Sequence, residues 1–119
     1  MKFIRKIMKP RSTKDESFYV DLKQILGFAP RNLYLYKKAF IHRSTKKIDS
    51  DTGNPINYER LEFLGDAILS AVIASYLFEE VPSGDEGYLT KMRSKVVSRE
   101  HLNELGRDLN LIRFVKSNV

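Results

Sequence analysis

No cysteine occurs among the 119 residues. Disulfides, thiolate zinc sites and cysteine nucleophiles are therefore excluded, and the chain suits a reducing compartment. The longest near-continuous apolar run, Ala67 to Phe78, is shorter than the ~18 residues of a membrane span. Phe3, Ile4, Ile7 and Met8 are too few for the apolar segment of a secretory signal. We expect a cytoplasmic chain with no membrane partner. Glycine-rich phosphate loops, nucleophile elbows and the H-E-x-x-H pattern are also missing. So are repeats, low-complexity tracts and any convincing period-2 strand pattern.

Acids are missing from both ends. Residues 1 to 14 carry Lys2, Arg5, Lys6, Lys9, Arg11 and Lys14 without one Asp or Glu, and none follows Asp108. Those six bases account for the whole formal charge of +6, since the other fifteen balance the fifteen acids. A basic arm on a neutral body is compatible with nucleic-acid contact; a solvated tail is the plainer reading. The length suits one domain with a modest core.

What is present reads as helical throughout. Lys2 to Met8 is a short amphipathic turn or an irregular arm, and Pro10 to Lys14 a break. Glu16 to Leu26 puts Phe18, Leu22 and Ile25 on one face, with Gly27 as C-cap. Asn32 can cap a helix to about His42, with Leu33, Tyr36 and Phe40 inward. Arg43 to Pro55 is polar and reads as a loop. A long helix starts near Pro55 or Asn57 and runs to about Glu80, apolar around most of its circumference and so expected to be central and buried. Ser83 with Glu86 forms a capping box for a helix with Leu89, Met92 and Val96 on one stripe. Ser98 can cap a last helix that buries Leu102, Leu105 and Leu109. One all-α domain follows.

Glu62 and Asp66 lie one helical turn apart inside the long apolar segment, with Glu59 at i−3. Their mutual repulsion, roughly 0.2–0.5 kcal/mol per close pair, and the poor helix propensity of Gly65, about 1 kcal/mol against Ala, are tolerated in mid-segment. A stripe of carboxylates suits a hard divalent cation such as Mg²⁺. Glu59, Glu62, Phe63, Asp66 and Ser70 share one sector of the wheel. Phe63, an aromatic ring beside carboxylates, needs a covering surface from this chain or a second subunit.

The segment Glu59-Arg60-Leu61-Glu62-Phe63-Leu64-Gly65-Asp66-Ala67 resembles the signature of the ribonuclease III family. Ala39-Phe40-Ile41-His42-Arg43-Ser44 is similar to the end of that family's preceding helix. Asp85-Glu86-Gly87, Leu89 to Arg93 and Val96-Val97-Ser98 are similar to the helix that follows. The resemblance runs in order from about Phe18 to Val115. It implies an all-α, single helical domain of the ribonuclease III endonuclease type. The implied activity is Mg²⁺-dependent hydrolysis of double-stranded RNA in RNA processing, with Mn²⁺ as a substitute, by a homodimer. Glu62 and Asp66 match the first two of four metal ligands and are the catalytic residues, Asp66 also orienting the attacking water. Glu59 matches an acid at the edge of the site, and Phe63 a residue that plugs into the partner subunit. Lys91, Arg93 and Lys95 are candidates for RNA contact.

The resemblance also sets expectations about what is missing. The second pair of ligands would come from a later helix, and no double-stranded-RNA-binding domain follows. The chain therefore reads as a basic arm, 1–14, and an incomplete catalytic domain, 15–119, truncated at its C-terminus. Two carboxylates alone hold Mg²⁺ weakly, so this chain by itself is expected to be inactive, with Leu64, Ile68 or Ile73 exposed and prone to association.

Plainer roles stand beside these. Glu59 also suits the helix dipole, Gly65 a packing notch, Asp85 and Glu86 an N-terminal cap pair, His42 a hydrogen-bonded helix end, and Lys91 to Lys95 a solvated face. A non-catalytic ribonuclease III-like RNA-binding or dimerisation module is the alternative. Such modules usually lose the acids that are intact here. A helical bundle with an incidental acidic stripe is the third reading.

Overall fold

The computed structural model describes residues 10–119. The expected turn or arm at Lys2 to Met8 lies outside the described residues. Among the described residues five helices form: α1 (Thr13–Leu26), α2 (Leu33–Ala39), α3 (Glu59–Glu80), α4 (Glu86–Val96) and α5 (Arg99–Asp108), with short 3-10 turns at Arg43–Thr45 and Leu111–Phe114. No strand forms among the described residues; Ile41 pairs with Lys116 and Ile48 with Pro55 as isolated bridges. The chain divides into two units, Met1–Leu35 and Tyr36–Val119.

In the first unit α1 begins at Thr13, ahead of the expected Glu16, because Ser12 supplies a cap. Its hydroxyl accepts from the Asp15 N–H at 3.1 Å, and Asp15 and Glu16 favour the positive helix end. Arg11 reaches Glu16 at 2.9 Å and lies 3.7 Å from the centre of the Tyr19 ring. Gly27 closes the helix as expected: its φ of 79° is left-handed, and its N–H donates to the Lys23 carbonyl at 2.9 Å. Leu22 is buried and Phe18 and Ile25 half-buried, the face that the spacing marked.

The second unit is organised around residues 40–42. Helix α2 ends at Ala39, short of the expected His42. The next backbone groups are taken elsewhere: the Lys116 N–H donates to the Phe40 carbonyl at 2.8 Å, the His42 N–H to the Lys116 carbonyl at 2.8 Å, and the Tyr58 N–H to the Ile41 carbonyl at 3.0 Å. Ile41 is 7% exposed, and Phe40 packs on Phe114 with ring centroids 5.3 Å apart. The His42 ring nitrogen Nδ1 accepts from the Ser44 N–H at 3.1 Å. Ser44 Oγ lies 3.3 Å from Ser117 Oγ and accepts from the Asn118 N–H at 2.9 Å. His42 is thus the hydrogen-bonded residue expected, although it caps a 3-10 turn and does not end α2.

The polar segment between His42 and Tyr58 closes on itself. Asp49 Oδ1 accepts from the Asp51 N–H at 2.8 Å, and the Asp49 N–H donates to the Asn54 carbonyl at 2.8 Å. Asn57 Oδ1 then accepts from the Glu59 N–H at 3.0 Å, which supports the first turn of α3.

Helix α3 departs from expectation. Of its 22 residues only Leu77 is buried. Leu64, Ile68, Val72 and Tyr76, each four apart, are 53–61% exposed and form a continuous apolar stripe. Ile73 is half-buried. Nothing among the described residues covers this stripe: α4, at about 16 Å, is half the length of α3, at about 33 Å. An 18-residue window of α3 has mean hydropathy 1.6, long and apolar enough by length and composition to cross a bilayer. The shorter run 67–78 understated this because it stopped at Asp66.

The turn after α3 also differs. Asp85, not Ser83, is the N-cap of α4, and its Oδ1 accepts from the Tyr88 N–H at 2.9 Å. Glu86 is engaged within α4, accepting from the Thr90 hydroxyl at 3.1 Å. Gly84 admits no side chain cheaply, since a Cβ would stand 3.0 Å from Tyr88 Cδ1 and 3.1 Å from Val81 Cγ1. Leu89, Met92 and Val96 are half-buried as their spacing indicated. Ser98 caps α5 as expected, accepting from the His101 N–H at 3.2 Å. Leu102, Leu105 and Leu109, expected inside, are 36%, 47% and 38% exposed, so the apolar side of α5 lacks a full covering layer among the described residues.

Replacing Asp85 by Ala should destabilise the folded chain by about 0.5–2 kcal/mol, whereas Ser83→Ala should be nearly neutral; thermal melts of the two variants separate the cap assignments. The exposed stripe predicts concentration-dependent association, reduced in Ile68→Glu/Val72→Glu and readable by sedimentation. A wild-type chain that stays monomeric at every concentration would contradict this.

Candidate functional site

The acids occupy the first two turns of α3. Glu59 and Glu62 lie in its first turn, and Asp66 is one turn beyond Glu62. All three are exposed, and none forms an ion pair among the described residues. At 100° per residue they share a side of the helix with Ser70, Ile73 and Leu77. That is the side packed inward toward the C-terminal half of α3, where Leu77 is 7% exposed and Ser70 and Ile73 half-buried. In the N-terminal half the same side is open and carries carboxylates in place of apolar residues.

Glu62 borders an open cleft of about 280 Å³ lined by Ala39, Tyr58, Leu61 and Glu62. Tyr58 sits edge-on to His42 with centroids 5.7 Å apart, and its carbonyl accepts from the Glu62 N–H at 2.8 Å. Neither Ala39, which the sequence marked only as the start of a family-like block, nor Tyr58 was a site candidate, because their part depends on residues 40–42 drawing the end of α2 to the start of α3. Two carboxylates one turn apart are hard oxygen donors of the kind Mg²⁺ takes one or two at a time, keeping waters and adding substrate phosphates. Among the described residues no group of three or more acids or histidines is placed to hold a metal ion, so Glu59 adds no third ligand.

The other sequence candidates fall away from this cleft or divide. Phe63 is 82% exposed, adjacent to the acids and without cover among the described residues. Lys91 and Lys95 are exposed one turn apart on α4, while Arg93 is half-buried and about 200° around the helix from Lys91; the three do not form one basic face. Gly65 is not a packing notch among the described residues: a Cβ there would meet none of them within 4 Å. Of the expected cap pair, Asp85 caps α4, while Glu86 accepts from the Thr90 hydroxyl within the helix.

The family model of the Ribonuclease III domain matches residues 59–119, beginning at the first acid of α3. The chain belongs to the ribonuclease III family. Relatives named Ribonuclease 3 are similar along all of it: one from Zunongwangia profunda is 64% identical, covering 100% of this chain and 49% of its own length. Another, from Flavobacterium psychrophilum, is 62% identical, covering 100% and 48%. The chain thus spans about half the length of these curated relatives. Its fold is similar to the nuclease domain of ribonuclease III from Campylobacter jejuni, with a TM-score of 0.71 at 33% identity over 83% of this chain and 64% of that one. The all-α ribonuclease III nuclease fold read from the signature is therefore the fold of this chain.

Mn²⁺ should raise the melting temperature of the chain, and Asp66→Asn or Glu62→Gln should each abolish the shift. A shift that survives both substitutions would place the cation elsewhere.

Proposed function

We propose that this chain supplies the Glu62–Asp66 half of a Mg²⁺-dependent endoribonuclease site acting on double-stranded RNA within a homodimer. The observation that carries the reading is the open acidic side of α3: two carboxylates a turn apart, without ion-pair partners, at the start of the segment that matches the family. The names of the relatives, Ribonuclease 3, support the reaction class. A bound Mg²⁺ would supply charge neutralisation at the phosphate and activation of water. Glu62 and Asp66 would hold the ion, and Asp66 would orient the attacking water. Glu59, in the first helical turn, would add negative potential at the edge of the cleft.

The dimer reading rests on the apolar surface of α3. A structure of the Campylobacter jejuni nuclease domain is described for flexibility in a region involved in dimer formation. Phe63 at 82% exposure, with the stripe from Leu64 to Tyr76, offers apolar area for protein contact. Protein is the better cover than lipid, because an ionised Asp66 in hydrocarbon would cost about 2.5–3.5 kcal/mol or more. We place the protein in the cytoplasm on the same reading.

With two ligands of its own, this chain alone should cleave duplex RNA only slowly in Mg²⁺; rapid stoichiometric cutting would contradict the weak two-carboxylate site. Exchanged for the matching residues of the Zunongwangia profunda relative, it should yield a Mg²⁺-dependent duplex nuclease. In that chimera Glu62→Gln or Asp66→Asn should slow cleavage by at least about 100-fold, the scale of losing one electrostatic anchor. An active chimera indifferent to both substitutions would refute the site.

A further inference from the structure

His42 is the N-cap of the 3-10 turn Arg43–Thr45, and its ring does the capping: Nδ1 accepts from the Ser44 N–H at 3.1 Å. An imidazole nitrogen that accepts carries no proton, so the ring proton of His42 sits on Nε2. Ser44 Oγ, 2.8 Å from the same Nδ1, is then the donor in that contact. Ser44 Oγ in turn accepts from the Asn118 N–H at 2.9 Å and from the Ser117 hydroxyl at 3.3 Å. Ser117 Oγ accepts from the Val119 N–H at 3.2 Å, and the Asn118 side-chain amide donates to the Ser44 carbonyl at 3.4 Å. The hydroxyl bonds thus run in one direction, from the returning tail through Ser44 to Nδ1, and they join residues 74 apart in sequence. That direction depends on one lone pair.

We propose that His42 is a proton-sensitive latch: its uncharged ring holds the 43–45 turn and, through Ser44, the tail at Ser117 and Asn118, and a proton on Nδ1 releases both. A cap needs only an acceptor, and Ser, Thr, Asp or Asn commonly supply it. Imidazole is the acceptor that a proton abolishes between about pH 8 and 5. With Nδ1 protonated, the Ser44 N–H faces a second N–H and loses its partner, and the Ser44 hydroxyl must turn away from the ring. Both residues are half-buried, so water replaces the lost acceptor less well than on an open surface. Tyr58 stands edge-on to the ring with centroids 5.7 Å apart. The charged groups on the adjoining segments are Lys37 and Lys38 at the end of α2, Arg43 and Lys46 in the turn, Lys116 in the tail, and Glu59 and Glu62 after Tyr58. The bases oppose a cation on the ring and the acids favour it. Among the described residues His42 forms no ion pair that would hold the proton in place. The folded chain takes up this proton only by giving up the Ser44 bond, so the latch is closed at higher pH and opens as pH falls. The backbone bonds of residues 40–42 to Lys116 and Tyr58 involve no titrating atom, which confines the opening to the turn and the tail beyond Lys116.

The latch needs neither cation nor RNA, so it stands apart from the nuclease reading. The test is NMR of the ¹⁵N-labelled chain from about pH 8 to about pH 5. At the upper end the His42 imidazole nitrogens should show the Nε2–H tautomer. On acidification the Ser44 and Asn118 amide signals should move with the midpoint of the His42 ring. Their protection against solvent exchange, corrected for the intrinsic effect of pH, should fall by roughly 2- to 12-fold, the worth of one hydrogen bond. His101, exposed on α5, is the internal control, and its titration should leave both amides unmoved. His42→Asn places an amide oxygen where Nδ1 stands and should keep the Ser44 amide protected at both ends of the range. If that variant fails to fold, Ser44→Ala serves in its place: residue 44 should keep its pH-dependent amide while the Asn118 amide loses protection at every pH. A proton on Nδ1 at the upper end, or Ser44 and Asn118 amides indifferent to the His42 titration, overturns the latch. So does the same pH response in His42→Asn.

Discussion

The peptide groups of residues 40–42 are the joint on which the second unit depends. Three segments distant in sequence meet there: the end of α2, the tail at Lys116 and the first residue before α3. The bonds are backbone to backbone at 2.8–3.0 Å, and Ile41 is buried between them. Each such bond adds only about 0.5–1.5 kcal/mol net, yet a donor left unmade in a buried place costs more. The joint therefore fixes where α3 begins, and with it the place of Glu62 at the rim of the cleft.

From that starting point the helical period does the rest. One side of α3 is apolar and packed near Leu77, and acidic and open near Glu62. The substitution of carboxylates for apolar residues along a single side is an electrostatic cost that burial could not repay, since buried unpaired charges are strongly unfavourable. The acids are tolerable because that side is uncovered and wet. The same geometry leaves Phe63 and the Leu64–Tyr76 stripe exposed, so the surface that would attract a second protein surface runs alongside the surface that would attract a cation.

What could be read in the sequence was what local geometry decides. The i, i+4 spacing of Glu62 and Asp66 requires only that the segment be helical, and the Gly27 and Ser98 caps involve residues within one turn. Local chemistry misled where two capping residues compete: Ser83 and Asp85 stand two apart, and α4 starts at Glu86, directly after Asp85. Burial was read wrongly for α3 and for Leu102, Leu105 and Leu109, because periodicity shows which side is apolar and not whether anything lies over it. The Ser44–Ser117 contact had no local signal at all, since it depends on the tail returning to residues 40–44.

The central claim is that Glu62 and Asp66 jointly grip a divalent cation. Paramagnetic broadening of backbone amide resonances by substoichiometric Mn²⁺ locates the ion directly, because the chain carries competing acids at Asp49 and Asp51 and at Glu79, Glu80, Asp85 and Glu86. The account predicts broadening centred on the amides of residues 59–66. Broadening centred on either of the other acidic groups, with residues 59–66 unaffected, would contradict it.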